Sequence, residues 1–231
     1  MKNKLFKYAV IAGAVAASSA ASALTIGTIP MGASNEFLTK FSLGNVEGLY
    51  GANLWLTGTS NIKVEYFGAE AAFTNSFSFG GSNVATHTGA GGNTFVDSPA
   101  AGLGAEDALS STTFLGVSAG LLDFSFFINS NAHEVKNGAN PDDAIGAGDR
   151  NFFVSFDNNY MLDTTVNGST AFGGTSVFLF LDDSGAGPDD NHDDMVVRLS
   201  IDGGSIFVPE PGSLALLGLG LAGLGLSRRK K

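Results

Sequence analysis

Residues 177–201 read VFLFL, then DDSGAGPDDNHDD, then MVVRLSI, and this stretch decides the fold. Val177 to Leu181 is continuously apolar, the pattern of a central strand buried on both faces. Met195, Val197, Leu199 and Ile201 alternate with Arg198 and Ser200, the period-two pattern of a half-buried strand. Between them lies a polar connection, Asp182 to Asp194, so the two strands are expected to form a β-hairpin.

The same texture continues outward. Ile62, Val64 and Tyr66 alternate with Lys63 and Glu65; Phe73 to Phe79 ends at Gly80-Gly81; Leu122, Phe124, Phe126 and Ile128 alternate with Asp123 and Ser125. Phe152, Val154 and Phe156 make another strand. Asn167-Gly168 between 164–166 and 170–172 is a type I′ hairpin signal. Asp202-Gly203-Gly204 turns into a last short strand, Ser205 to Val208. No 12-residue window of the body carries a 3.6-residue period. Short Phe-rich strands bounded by Gly, Asn and Asp predict an all-β protein, an antiparallel β-sandwich of jelly-roll-like arrangement. Most of the 19 phenylalanines then fill the core, and exposed ones such as Phe127 or Phe153 could stack on sugar rings. Trp55, inside Leu54-Trp55-Leu56, reads as core. Residues 82–112 carry little pattern and read as a long loop.

Charge and composition narrow the function classes. Residues 24–207 hold five Lys and Arg against 21 Asp and Glu, a formal charge near −16. A body this acidic repels nucleic acid and anionic membranes and attracts cations. There is no cysteine, which excludes disulfides, thiolate metal sites and cysteine catalysis. No P-loop, no HExxH and no strained serine turn occurs, so no catalytic residue is assigned and a non-enzymatic role is expected.

The acidic connection is the densest polar cluster. Asp189, Asn191 and Asp193 fall at i, i+2 and i+4, so an extended backbone puts them on one face. With Asp182, Asp183 and Asp194 they form a candidate set of hard oxygen ligands suited to Ca2+. The alternative is a solvated acidic loop. The D-x-N-x-D start matches an EF-hand loop, but Asp194 replaces the sixth-position glycine, Ser200 replaces the twelfth-position glutamate, and no helices flank it. Arg198 is the nearest positive side chain in sequence. A second acidic loop, Asn140 to Asn151, is expected to approach the first. Phe180-Leu181-Asp182-Asp183 followed by Asp189 to Val197 resembles the ending of a DUF4114-like group of secreted bacterial β-domains, with His192 where an aromatic Phe or Tyr is usual. Tyr66 to Asn75 resembles a G-x-E-A segment of the same kind of exported protein, with Glu70 and Asn75 read as structural.

The two ends give the destination. Lys2, Lys4 and Lys7, the apolar run Tyr8 to Ala17, and Ala21-Ser22-Ala23 form a signal peptide (residues 1–23), a helix removed by signal peptidase after Ala23. Residues 208–231 comprise Val208-Pro209-Glu210-Pro211, an apolar run from Leu214 to Leu226, and the basic tail Arg228-Arg229-Lys230-Lys231. As a helix that run spans about 20 Å, short of the ~30 Å hydrocarbon core. It suits transient inner-membrane insertion with the basic tail kept inside. This layout resembles the PEP-CTERM sorting signal of Gram-negative bacteria. The resemblance implies cutting by an exosortase near Pro209-Glu210-Pro211 and delivery to the cell surface or extracellular matrix, in association with exopolysaccharide and biofilm. Two other functions fit the body, 24–207: a carbohydrate-binding module for neutral glycan, and a glycoside hydrolase using Asp142 or Asp143 with a second carboxylate.

Overall fold

In the computed structural model, the residues described are 24–29, 35–40, 45–89, 93–95, 108–142, 149–156, 172–185 and 191–209. The expected signal helix, with Ala21 and Ala23, and the sorting helix with Arg228 to Lys231 lie outside them. So does the Asn167-Gly168 turn.

The continuously apolar stretch is strand β13 (Ser176–Asp182), and every one of its residues is buried. It pairs antiparallel with β14 (Met195–Ile201), in a register running from Ser176↔Ser200 to Leu181↔Met195. Its other edge pairs with β11 (Asn151–Phe156). Beyond β11 stand β2 (Val46–Tyr50) and β1 (Thr25–Ile29); beyond β14 stand β4 (Ser60–Gly68) and β7 (Ser110–Val117). The seven-stranded order is β1-β2-β11-β13-β14-β4-β7. A second sheet has the order β10 (His133–Lys136), β9 (Phe124–Ile128), β5 (Thr74–Phe79), β6 (Ser82–Thr88). A third, of two-residue strands, has the order β12 (Gly173–Gly174), β15 (Ile206–Phe207), β3 (Trp55–Leu56), β8 (Gly120–Leu121). Among the described residues the fold is mostly β, and every strand pairing is antiparallel.

Because successive side chains on a strand point to opposite faces, β13 feeds two cores. Val177, Leu179 and Leu181 join Val197, Leu199, Val64 and Phe152 against Phe77, Phe79, Phe124 and Phe126 of the second sheet. Phe178 and Phe180 join Val196, Phe67 and Phe153 on the opposite face, where Phe37, Leu38 and Phe95 cover them. Phe37 and Leu38 belong to a five-residue helix, α1 (Glu36–Lys40). The Asn35 carboxamide oxygen accepts the Leu38 N–H at its N-terminus, in the manner of an N-cap.

The stretch 82–112, expected as a loop, instead contains β6 and the start of β7. Both are poorly patterned for a physical reason. β6 buries only Ala85 and His87, and β7 buries nothing. Helix α1 was also unexpected, since five residues are too few to show a helical period.

Gly48 sits where β2 meets β11. A Cβ there would lie 2.2 Å from the Val154 carbonyl oxygen and 2.6 Å from the Phe153 ring. Backbone cannot yield as a flexible side chain can. Gly48→Ala is therefore expected to lose about 1–3 kcal/mol or more of stability, read as a lowered denaturation midpoint; an unchanged midpoint would show that the β2–β11 contact is soft.

Candidate functional site

The candidate ligands lie at the end of the β13–β14 hairpin. The described members, Asp182, Asp183, Asn191, Asp193 and Asp194, are all buried, so this part of the connection is not a solvated loop. Asp189 lies outside the described residues. Each described member has a specific hydrogen-bonding role. Asp182 Oδ1 accepts the N–H groups of Ser184 and Gly185 at 2.9 and 2.8 Å, turning the chain out of β13. Asp194 Oδ2 accepts the Asp183 N–H at 2.8 Å. The Asp183 carboxylate accepts from Asn75 Nδ2 on β5. Asp193 Oδ2 accepts the Glu36 N–H at the start of α1. The Asn191 carbonyl accepts from Asn35 Nδ2 at 2.6 Å. Between them His192 adopts a left-handed φ of +58°. Its Nε2 lies 2.9 Å from Asn151 Oδ1, and its ring stands edge-on to Tyr50.

The partners divide the aspartates between the two faces of the large sheet. Asp183 serves the second-sheet side through Asn75, and Asp193 serves the helix side through Glu36. Among the described residues, no group of three His, Cys, Asp or Glu side chains is placed to hold a metal ion. Two oxygens of fully buried side chains, Asp182 Oδ2 and Asn75 Oδ1, have no hydrogen-bond donor.

The electrostatics follow from packing several carboxylates away from water. Burial pushes the Asp183 carboxyl up to about 6; Asn75 opposes this, Asp182 adds to it, and Arg150 and His87 pull it back. Asp194 is raised well above the usual carboxylate range by burial and then by Asp183, with Asp182 and Asp193 adding and the Asp183 N–H opposing. Arg150 reaches this end, and its Nε donates to the Asp183 carbonyl at 2.7 Å. Arg198, expected here from its place in sequence, is buried in the helix-side core and paired with Glu65 at 2.9 Å. The second acidic loop brings Arg150 and Asn151 to the hairpin end, while Asp142 accepts from Thr25 Oγ1 at 2.8 Å; Asp143 lies outside the described residues. Glu70 is half-buried, and its N–H donates to the Asp193 carbonyl at 3.0 Å.

The aromatic expectations need correction. Phe153 is fully buried, and Phe127 is half-buried. Trp55, read as core, is 38% exposed, while its neighbours Leu54 and Leu56 are buried. Of the sorting motif, Val208 is buried, with its N–H donated to the Phe172 carbonyl at 2.8 Å; Pro209 is exposed; Glu210 and Pro211 lie outside the described residues. Among the described residues, no helix is long and apolar enough to cross a membrane.

The sign of the pH dependence follows from the raised carboxyls. In the unfolded chain Asp183 and Asp194 titrate near 4; folded, they hold their protons to higher pH. The folded state therefore binds more protons between these values, and stability falls as pH rises from about 4 through 6. Thermal melts from pH 4.5 to 8 should show this fall, and Asp183→Asn should flatten it. Equal slopes for the two proteins would remove Asp183 from the account.

Residues 207–230 match the family model of the PEP-CTERM protein-sorting motif. No curated protein and no solved structure matches the chain. The matched residues lie outside the acidic hairpin, and its expected resemblance to a DUF4114-like group is not confirmed by them. They mark an exported chain that transits a membrane and is sorted by an exosortase to the cell surface.

Proposed function

We propose that this is a non-enzymatic protein of the extracellular matrix of a Gram-negative bacterium, associated with exopolysaccharide and biofilm. The observation that carries the proposal is the C-terminal signal at 207–230, joined to an acidic β-domain without cysteine. The domain is inferred to be a β-sandwich of jelly-roll-like arrangement, with one core held between two antiparallel sheets of unequal width. Its support is the cluster that Val177, Leu179 and Leu181 share with Phe77, Phe124 and Phe126.

The sorting step has a direct test. Exosortase would act near Pro209-Glu210-Pro211, with the apolar run holding the chain in the inner membrane until then. In the host, the protein should be recovered from the surface or matrix fraction. Replacing Pro209, Glu210 and Pro211 with Ala together should shift it to the membrane fraction. Unchanged release from the triple variant would remove the motif from the route.

Calcium is proposed as the cation of the acidic hairpin end, with Asp182, Asp183, Asp189, Asn191, Asp193 and Asp194 as its surroundings. What supports this is the gathering of buried carboxyls at the hairpin end, and the undonated Asp182 Oδ2. A ligand of the native state raises the melting temperature by mass action. At pH 7.5, a saturable rise of several degrees on calcium addition, reversed by EDTA and absent with magnesium, is the expected result. A flat titration would leave the aspartates with their turn and helix-anchoring roles alone. The second reading, a module for neutral glycan, is favoured by the exposure of Trp55. A glycoside hydrolase has less support: Asp142 is tied to Thr25.

A further inference from the structure

The third sheet has two unlike faces. Ile206 pairs with Leu56 in register, and both are buried in the core shared with the second sheet. The next register pair is Phe207↔Trp55, and Trp55 in turn pairs with Leu121. Partners in register share a face, so Leu121, Trp55 and Phe207 form one row across β8, β3 and β15. Trp55 is 38% and Leu121 43% exposed, and Phe207 is half-buried. We propose that this row is a stacking platform for a neutral polysaccharide, which lays the apolar faces of successive uncharged pyranose rings across Leu121, Trp55 and Phe207. The inference rests on the exopolysaccharide association proposed above and names the surface and the sugar class that serve it.

The platform is held rigid. Asn137, itself buried, accepts the Leu54 N–H at 2.7 Å and donates to the carbonyls of Leu54 and Leu122 at 2.9 and 2.7 Å. Leu122 N–H donates to Leu54 O at 3.0 Å. On the other side, Thr57 N–H donates to Ser205 O at 3.0 Å, and Ser205 N–H donates to Thr57 Oγ1 at 2.9 Å. Trp55 therefore lies between two hydrogen-bonded clamps, with Leu54 and Leu56 pinned inward. Little ordering cost remains to be met on binding.

The chemistry selects the occupant. An indole face is electron-rich, and the axial C–H bonds of a pyranose ring present a weakly positive, apolar surface that complements it. Three side chains across three strands span ~10 Å at the usual strand spacing, the length of a short run of sugar rings. Exposed Thr57 and Asp123, two residues beyond Trp55 and Leu121, offer partners for ring hydroxyls. The row bears no charge, while residues 24–207 carry about −16. Polyanionic glycans, nucleic acids and anionic lipid are thus repelled. Three partly exposed side chains offer at most a few hundred Å², well below the ~800 Å² per partner of a standard protein–protein interface. A second copy of the chain or another folded protein would need more surface than the row provides.

Trp55 is the only tryptophan in the chain, so its fluorescence reports from the platform without any substitution. The exported protein would be titrated with the host's own exopolysaccharide and with dextran and hydroxyethylcellulose as defined neutral probes. The expected result is a saturable blue shift of the emission with the host polymer or a neutral probe, and reduced quenching by iodide. Retardation in gels containing the same polymer should fall at least tenfold for Trp55→Ala and be largely kept by Trp55→Phe, which retains a ring. If Trp55→Ala is retarded like the wild type, the platform is wrong and the exopolysaccharide association stands. If the wild type is retarded by none of the polymers, both fail. A blue shift with phosphatidylcholine vesicles and none with polymers would make the row a lipid-facing surface and overturn the glycan assignment.

Discussion

The double-sided burial of β13 is the constraint on which the rest of the structure depends. A strand with no exposed residue must be paired on both edges and covered on both faces, because unpaired buried N–H and C=O groups are costly. β11 and β14 meet the first demand. The second requires two cores from one sheet. The second sheet closes one face, and Phe37, Leu38 and Phe95 close the other. A five-residue helix has almost no stability of its own. It is held because Phe37 packs against Phe67, Phe95, Phe178 and Phe180, and because Asp193 and Asn191 reach its first turn from the hairpin end. The acidic connection thus serves the core before any ligand is considered.

The helix-side core also holds a charge. Arg198 and Glu65 face each other in register on β14 and β4, both without exposed side-chain surface. Arg198 lies 5.0 Å from the Phe67 ring centroid and 5.5 Å from that of Phe178. Removing one partner of such a pair costs far more than the pair contributes, since it strands a buried charge. The aromatic faces on either side lower the desolvation penalty of the guanidinium. Lys63, at the sheet's wetter margin, bonds the other Glu65 oxygen at 2.6 Å. The row therefore fixes the register of β4 against β14, where a one-residue slip would expose the whole apolar set.

What was legible in the sequence follows from where each side chain ends up. β13 was readable because burial on two faces leaves an unbroken apolar run; β14, expected to be half-buried, is buried on both faces from Met195 to Leu199, and its alternation came from Arg198, a buried charge. β7 was not readable, because only Phe114 and Val117 turn partly buried side chains to the core, too few to leave a pattern. Trp55 was misread because Leu54-Trp55-Leu56 is apolar throughout. Only the strand's parity, set by partners far away in the chain, turns the indole outward. The roles of Asp183 and Asp193 were equally hidden. Their partners, Asn75 and Glu36, lie 108 and 157 residues away, and spacing within a loop says nothing about such contacts. The i, i+2, i+4 pattern suggested one shared ligand face, whereas the fold uses Asn191 and Asp193 to anchor α1. The destination of the chain, by contrast, was legible because a sorting signal is read as a linear pattern and needs no tertiary partners.

The two candidate surfaces occupy opposite ends of the same hairpin. β12 leads into β13 and β15 follows β14, so the third sheet lies at the Ser176–Ile201 end and the aspartates at the Asp182–Met195 end. Seven residues of strand separate them by ~20 Å. Stacking on sugar rings requires a surface that sheds water cheaply, and Leu121, Trp55 and Phe207 are all apolar. The acidic end is tied to α1 through Asn191 and Asp193, while the row is fixed by its own Asn137 and Ser205 clamps. The two ends are thus held by separate sets of hydrogen bonds, and the fully buried β13 is the rigid element that runs between them.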